Sequence, residues 1–172
     1  LYKQIENPER YRPVGKGLNA APGAISGKVV FSTSETLAQS KAGISIILVR
    51  PETSPDDIQG IAAASGVLTQ RGGLTSHAAI VTRAMGKPCI CGAENIAIDL
   101  AAKQFIINKQ IIKEGDEITI DGTTGNFYSG LLPLEESNLS AEFEELTIWA
   151  DSFKRLGVRA NADTPEMIAR AR

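Results

Sequence analysis

Histidine, cysteine and tryptophan are scarce in this chain: its 172 residues hold one His, two Cys and one Trp. One imidazole with no second His cannot complete a zinc site, and Cys89-Ile90-Cys91 lacks the C-x-x-C spacing of a zinc pair. No metal is therefore expected in the chain. Two thiols two apart on a strand point to the same face and are poorly placed to pair with each other. They read as reduced, small core residues of a cytoplasmic protein. A formal charge of −2 gives no electrostatic case for nucleic acid or an anionic membrane. No apolar run approaches the ~20 residues of a spanning helix. Leu1-Tyr2-Lys3-Gln4-Ile5-Glu6 has no signal-peptide core and no initiator Met, which suggests a fragment of something longer. A glycine-rich nucleotide motif, an internal repeat and a low-complexity tract are all missing.

What is present is enough for a packed core, at 42% hydrophobic residues. The length fits one domain of ordinary size plus extensions. Residues 1–17 are polar, with Pro8, Pro13, Gly15 and Gly17, and read as a linker. Strands are expected at Lys28–Phe31, Ile44–Val49, Gly66–Thr69, from Cys89, at Phe105–Ile107, Glu117–Asp121 and from Asn126. Thr53 or Ser54 can cap a short helix running to Ala64, with Asp56 and Asp57 in its first turn. A second helix runs from the His77 region to Met85, where Gly86 stops it and Pro88 prevents continuation. A third is expected from about Ser140 to Leu156. Its Phe143, Leu146, Ile148 and Trp149 form a partial apolar stripe, which either docks elsewhere or packs on its own domain.

The single histidine sits in Gly72-Gly73-Leu74-Thr75-Ser76-His77-Ala78-Ala79-Ile80-Val81. Two glycines make a turn, Thr75 and Ser76 are both N-cap types with Thr75 the first, and a helix-forming run follows. His77 then falls in the first helical turn. Unpaired N–H groups and the positive end of the helix dipole meet there, which favours a bound anion and a neutral imidazole. Gly72 and Gly73 permit close backbone approach to a phosphoryl group. The local spacing alone leaves open an ordinary surface or core histidine at an ordinary tight turn.

The wider sequence narrows this. Residues Gly72 to Cys89 resemble the phosphohistidine signature of the phosphoenolpyruvate (PEP)-utilising enzymes, and within that family they are most similar to the pyruvate phosphate dikinases. Three further stretches agree in order. Leu18–Gly27 resembles the start of the phosphohistidine domain, Leu48–Ile58 the strand and helix before the signature, and Leu156–Pro165 the start of the next domain. Leu74 stands where Met is expected and Thr82 where Ala is expected, departures that bear on packing.

The resemblance implies an α/β fold, the swivelling β/β/α phosphohistidine domain, over residues 18–131. Residues 132–172 would then be a linker helix and the start of the PEP- and pyruvate-binding barrel. It implies that His77 is the catalytic nucleophile, phosphorylated at Nε2, with Gly72, Gly73, Thr75 and Ser76 as phosphoryl-binding support. The family reaction converts ATP, phosphate and pyruvate into AMP, diphosphate and PEP. Magnesium is required, held by the flanking domains and not by this fragment. The implied partners are the nucleotide-binding and PEP/pyruvate-binding domains of the same polypeptide, in an enzyme expected to be a homo-oligomer. In plant-type dikinases the Thr two before the His is a regulatory phosphorylation site, which makes Thr75 a regulatory candidate. Arg83 and Arg50 are weak candidates for phosphate contact, and Arg159 resembles a barrel residue that binds PEP. PEP synthase, the first enzyme of the sugar phosphotransferase system, and a non-catalytic interaction module are the alternatives.

Overall fold

The computed structural model describes residues 2–136 and 141–153. They fall in two compact units, Leu1–Ser137 and Asn138–Arg172. In the first, β1 (Lys3–Ile5), β2 (Gly15–Lys16), β3 (Leu18–Ala21) and β4 (Ala24–Val30) precede α1 (Thr33–Lys41). Then β5 (Ile46–Arg50), α2 (Ile58–Ala63), β6 (Gly66–Thr69), α3 (His77–Ala84) and β7 (Cys89–Cys91) alternate. Six strands follow: β8 (Ala97–Asp99), β9 (Gln104–Ile107), β10 (Gln110–Lys113), β11 (Glu117–Asp121), β12 (Asn126–Ser129) and β13 (Leu134–Glu136).

Eight strands form the main sheet in the order β2-β12-β11-β4-β5-β6-β7-β3. Its centre, β4 to β7, is parallel, and the flanking pairs are antiparallel. Parallel strands need crossover connections, and α1, α2 and α3 supply them. A three-stranded sheet, β10-β9-β8, is separate.

Period-2 alternation decides which residue serves which face. Val29, Ile47, Val49, Leu68, Ile90, Ile118 and Ile120 pack on one side with Phe105, Ile107 and Ile112 of the small sheet. Phe31, Phe105 and Phe127 meet there edge to face, at centroid separations of 6.4 and 6.5 Å. Leu48, Val67, Cys89 and Cys91 point to the other side, against Ile61 of α2 and Ala78 and Ala79 of α3. The result is sheet, sheet and helix in layers, the β/β/α arrangement of the expected α/β class. Cys89 and Cys91 are free, buried and on one face, as the sequence implies.

Three differences from the sequence reading have physical causes. Residues 1–17 are more than a polar connector: β1 pairs with β13, β2 pairs with β12, and Ile5 is buried with Ala24 and Tyr128. Short apolar contributions inside a polar stretch escape a compositional reading. The same pairing extends the compact unit past Leu131 into β13. Finally, α1 occupies a stretch for which the sequence reading names no helix. Ser32 caps it by accepting from the Glu35 N–H at 3.2 Å, but Thr36 is its only buried residue, so no apolar stripe advertises it.

In the second unit, α4 (Ala141–Phe153) lies within the expected helix, and Leu146, Ile148 and Trp149 are exposed. Phe143's side chain and Arg159 lie outside the described residues. Among the described residues, no helix is long and apolar enough to cross a membrane.

One lysine ties the helical layer together. Lys87 Nζ, just after α3, donates to the carbonyls of Ile61 (3.3 Å), Ala62 and Ala64 (2.5 Å) at the end of α2. Helix-terminal carbonyls lack partners of their own, and a cation there also suits the dipole. Lys87→Met should therefore leave buried acceptors unpaired and destabilise the chain by roughly 1–3 kcal/mol. Thermal or urea denaturation of wild type and variant reads this directly.

Candidate functional site

The site lies at the carboxyl end of the parallel strands, where open α/β sheets place their loops. From β6 the chain runs through Gln70–Ser76 to α3. Gln70 and Arg71 N–H groups donate to the carbonyls of Arg50 and Pro51, and Thr69 Oγ1 donates to the Arg71 carbonyl at 2.7 Å. Gly72 then turns the chain at φ +110°, a region L side chains rarely adopt. A Cβ there would also meet Ser76 Cβ at 3.1 Å. Opposite it, a Cβ on Gly92 would come within 2.9 Å of the Gly72 carbonyl oxygen. The Gly72 turn is thus held on both sides. Gly73 has open space around it, so the fold itself does not require glycine at that position.

Ser76, not Thr75, is the N-cap. Its backbone is extended, and its Oγ accepts from the Ala79 N–H at 3.4 Å. Two adjacent residues of capping type cannot be ranked from sequence; the turn fixed by Gly72 decides that Ser76 faces the helix. Thr75 is left exposed on the loop.

His77 is therefore the first residue of α3. Its ring is half-buried, and its Nε2 is buried without a hydrogen-bond partner. The first-turn N–H groups of His77 and Ala78 have no acceptor within the helix by its geometry. Leu74 and Ile80, three residues to either side, are exposed. The arrangement puts an imidazole with an uncommitted Nε2 at a helix start whose first-turn amides favour an anion.

The two unexpected residues in the signature fit locally. Thr82 is fully buried but returns its hydroxyl to the Ala78 carbonyl at 2.6 Å, so it needs no external partner. Leu74 points to solvent, where an apolar exchange costs little.

Neither described arginine candidate is free for phosphate. Arg83 donates from Nε and Nη2 to the Ala20 carbonyl at 3.2 and 2.6 Å, and from Nη2 to the Leu74 carbonyl at 3.4 Å. It clamps the loop before His77 onto β3. Arg50 donates Nη1 to the Phe31 carbonyl at 3.0 Å and sits 3.4 Å from the Asp57 carboxylate. Asp57 in turn accepts from Thr33 Oγ1 and the Ser54 N–H. Arg50 secures the β5–α2 turn.

The sequence reading missed one neighbour of the site. Cys91 Sγ lies 3.5 Å from Ser76 Oγ and 3.6 Å from Cys89 Sγ. The hydrogen bond from Cys89 pulls the Cys91 thiol down to about 6 against the opposing effect of burial, with Ser76, Thr69 and the charge of Arg83 assisting. Donating that bond, with burial added, pushes Cys89 well above its ordinary value. No local signal could have found this contact, because it joins a strand to a helix cap 15 residues earlier. Among the described residues no three His, Cys, Asp or Glu side chains cluster in a way that could hold a metal ion.

The two signature glycines should separate experimentally. Gly72→Ala should cost about 1–3 kcal/mol through its forced backbone angle. Gly73→Ala should be neutral or raise stability by up to ~1 kcal/mol through the unfolded chain. Paired denaturation curves test this; equal losses would contradict the geometry.

Comparison with known proteins finds relatives over the same stretch. Residues 45–125, which include His77, match the PEP-utilising enzyme, mobile domain. The chain is 49% identical over 89% of its length to pyruvate, phosphate dikinase of Clostridium symbiosum. It is 46% identical over 96% to the enzyme of Rhizobium meliloti (strain 1021), and 47% over 100% to chloroplastic pyruvate, phosphate dikinase 1 of Arabidopsis thaliana. The chain spans only 18% of the length of each of these relatives. Among solved structures, Enzyme I (nEIt) overlaps 63% of this chain and 37% of its own at 21% identity and a TM-score of 0.36, too low to bear on function. The match to the PEP-utilising enzyme, mobile domain, thus runs from β5 to the turn after β11, the part of the chain that holds His77.

Proposed function

We propose that this chain is the phosphoryl-carrier part of a pyruvate phosphate dikinase and that His77 carries the group. The observation that supports this most is the buried, unpartnered Nε2 of His77 at the start of α3. A structural histidine would spend that nitrogen on a hydrogen bond, because leaving it unpaired is costly. A nucleophile must keep it free.

Charging from PEP breaks the P–O bond to the enol oxygen and forms a P–N bond at Nε2. The departing enolate takes up a proton and becomes pyruvate. From the other side, Nε2 takes the pyrophosphoryl group of ATP and releases AMP; inorganic phosphate then removes the outer phosphoryl as diphosphate. Gly72, Gly73, Thr75 and Ser76 lend the backbone around the transferred group, and the α3 N-terminus stabilises its charge. Since Nε2 is buried in this chain, attack requires the imidazole to turn outward when a substrate domain docks.

ATP, phosphate, pyruvate, magnesium and the domains that bind them belong to the longer enzyme, so the fragment alone is expected to be silent. One histidine serving two distant sites must travel. The β1–β13 ladder holds the two ends of the first unit together, so the hinges belong outside that ladder. Exposed Leu74 and Ile80 beside His77 give a small apolar contact, weak enough to release at each stop.

Charging the full-length protein with labelled PEP should place acid-labile, base-stable phosphate on His77 alone. His77→Asn should fold normally, since Nε2 makes no hydrogen bond, and take no label. Label on a carboxylate, or undiminished turnover in that variant, would overturn the assignment.

Thr75 is exposed two residues before His77, and a negative charge there opposes an incoming phosphoryl group. Thr75→Glu should slow charging of His77 by at least tenfold, while Thr75→Ser should change it little. The ratio of single-turnover labelling rates measures the effect. Equal rates for Glu and wild type would remove Thr75 as a regulatory candidate.

A further inference from the structure

The thiol pair beneath the α3 cap has no part in the phosphoryl chemistry, yet it touches the residue that positions His77. Alternation along β7 turns Cys89 and Cys91 to the helical face, and both are fully buried there. Their sulfurs are 3.6 Å apart. Residues two apart on a strand have Cα atoms about 6.6–6.8 Å apart, at the upper end of what a disulfide spans. Side chains two apart on a strand point the same way, so their Cβ atoms stand about as far apart as the Cα atoms and must approach to about 3.5–4.5 Å; closing the bond therefore requires β7, paired with β6 and β3, to buckle locally. It needs no added volume, which suits a packed interior better than binding a bulky ligand would.

We infer that Cys89 and Cys91 form a reversible dithiol–disulfide site that loosens the cap of the phosphohistidine helix when oxidised. This rests on the carrier reading of His77 for its consequence, though not for its chemistry. Ser76 Oγ accepts from the Ala79 N–H and can give its own proton to Cys91 Sγ at 3.5 Å. The sulfur thereby fixes the hydroxyl rotor that caps α3. Forming the disulfide draws Cys91 toward Cys89 and removes its acceptor charge, so Ser76 loses a partner one residue before His77.

The oxidant is a peroxide, with hydrogen peroxide as the simplest case and little larger than water. The Cys91 thiolate attacks one peroxide oxygen, the O–O bond breaks, and the departing hydroxide is protonated to water. Cys91 is then a sulfenic acid. Cys89 sulfur loses its proton and attacks Cys91 sulfur; the S–S bond forms as the S–O bond breaks, and a second water leaves. Two thiols and one peroxide give one disulfide and two waters, and a dithiol reductant reverses the change. Cys91 is the attacking sulfur because it touches both Ser76 Oγ (3.5 Å) and Cys89 Sγ (3.6 Å), two groups able to donate to its thiolate. Burial makes the reaction depend on brief opening of the Gly72 turn, and strain at the edge of the allowed span keeps the product easily reduced.

The test uses the full-length protein treated with hydrogen peroxide. Peptide mass mapping should show loss of two hydrogens in the segment holding Cys89 and Cys91, restored by dithiothreitol. Amide exchange at Ala79 should quicken at least threefold in the oxidised form. Labelling of His77 from PEP should slow by at least threefold in the same sample and recover on reduction. Cys89→Ser should retain charging of His77, form no disulfide, and yield a dimedone adduct at Cys91 after peroxide. No loss of two hydrogens under conditions that oxidise accessible thiols elsewhere would overturn the site. A verified disulfide with unchanged Ala79 exchange would overturn the link to the cap. If reduced protein takes no label from PEP, the carrier reading fails, while mass and exchange still decide the thiol site.

Discussion

Gly72 reverses the chain at φ +110° as it leaves β6, and the geometry around His77 follows from that turn. The reversal places Ser76 where its hydroxyl meets the Ala79 N–H, which sets the first turn of α3 and makes His77 its first residue. The turn cannot shift outward freely, because Gly92 packs against its carbonyl and Arg83 holds the Leu74 carbonyl from the far side of the helix. A Cβ on Gly92 would press on the Gly72 carbonyl and one on Gly72 would press on the Ser76 side chain, so either would disturb the cap. The position of one imidazole is thus set by backbone contacts that involve no imidazole at all.

The sheet anchors the chain just before that turn, where the Gln70 and Arg71 N–H groups donate to the Arg50 and Pro51 carbonyls. Its parallel centre is apolar on both faces, as parallel sheets buried on both sides require. One face closes on the small sheet through the Phe31–Phe105–Phe127 contacts, the other on the short helices. Short helices have little stability of their own, so α2 and α3 depend on this packing and on capping partners. Lys87 supplies one from the side chain and Ser76 another.

A carrier must bind its cargo and then lose it. The α3 N-terminus suits this because its attraction for an anion is real but limited, roughly 0.3–1 kcal/mol at an exposed helix end. A fixed arginine would hold phosphate more tightly. Arg83 and Arg50 are engaged by backbone carbonyls and a carboxylate, so neither serves as such a partner. The same economy governs the surface, where exposed Leu74 and Ile80 offer a small contact area.

The sequence by itself determined the local features. Short-range rules apply to the Gly72 turn, a helix with His77 in its first turn, its stop at Gly86, and a preceding helix capped at Thr53 or Ser54, because each depends on residues within one or two turns. The pleat's period of two told that Cys89 and Cys91 share a face. The tertiary structure decided the rest. It chose Ser76 over Thr75 as the cap, gave Arg83 and Arg50 structural duties, folded β1 and β2 into the sheets, and revealed α1, whose polar surface carries no apolar period. It alone brought Cys91 to Ser76 and left His77 Nε2 without a partner. Those facts rest on contacts between segments distant in the chain, and only packing can specify which carbonyl or hydroxyl a side chain reaches.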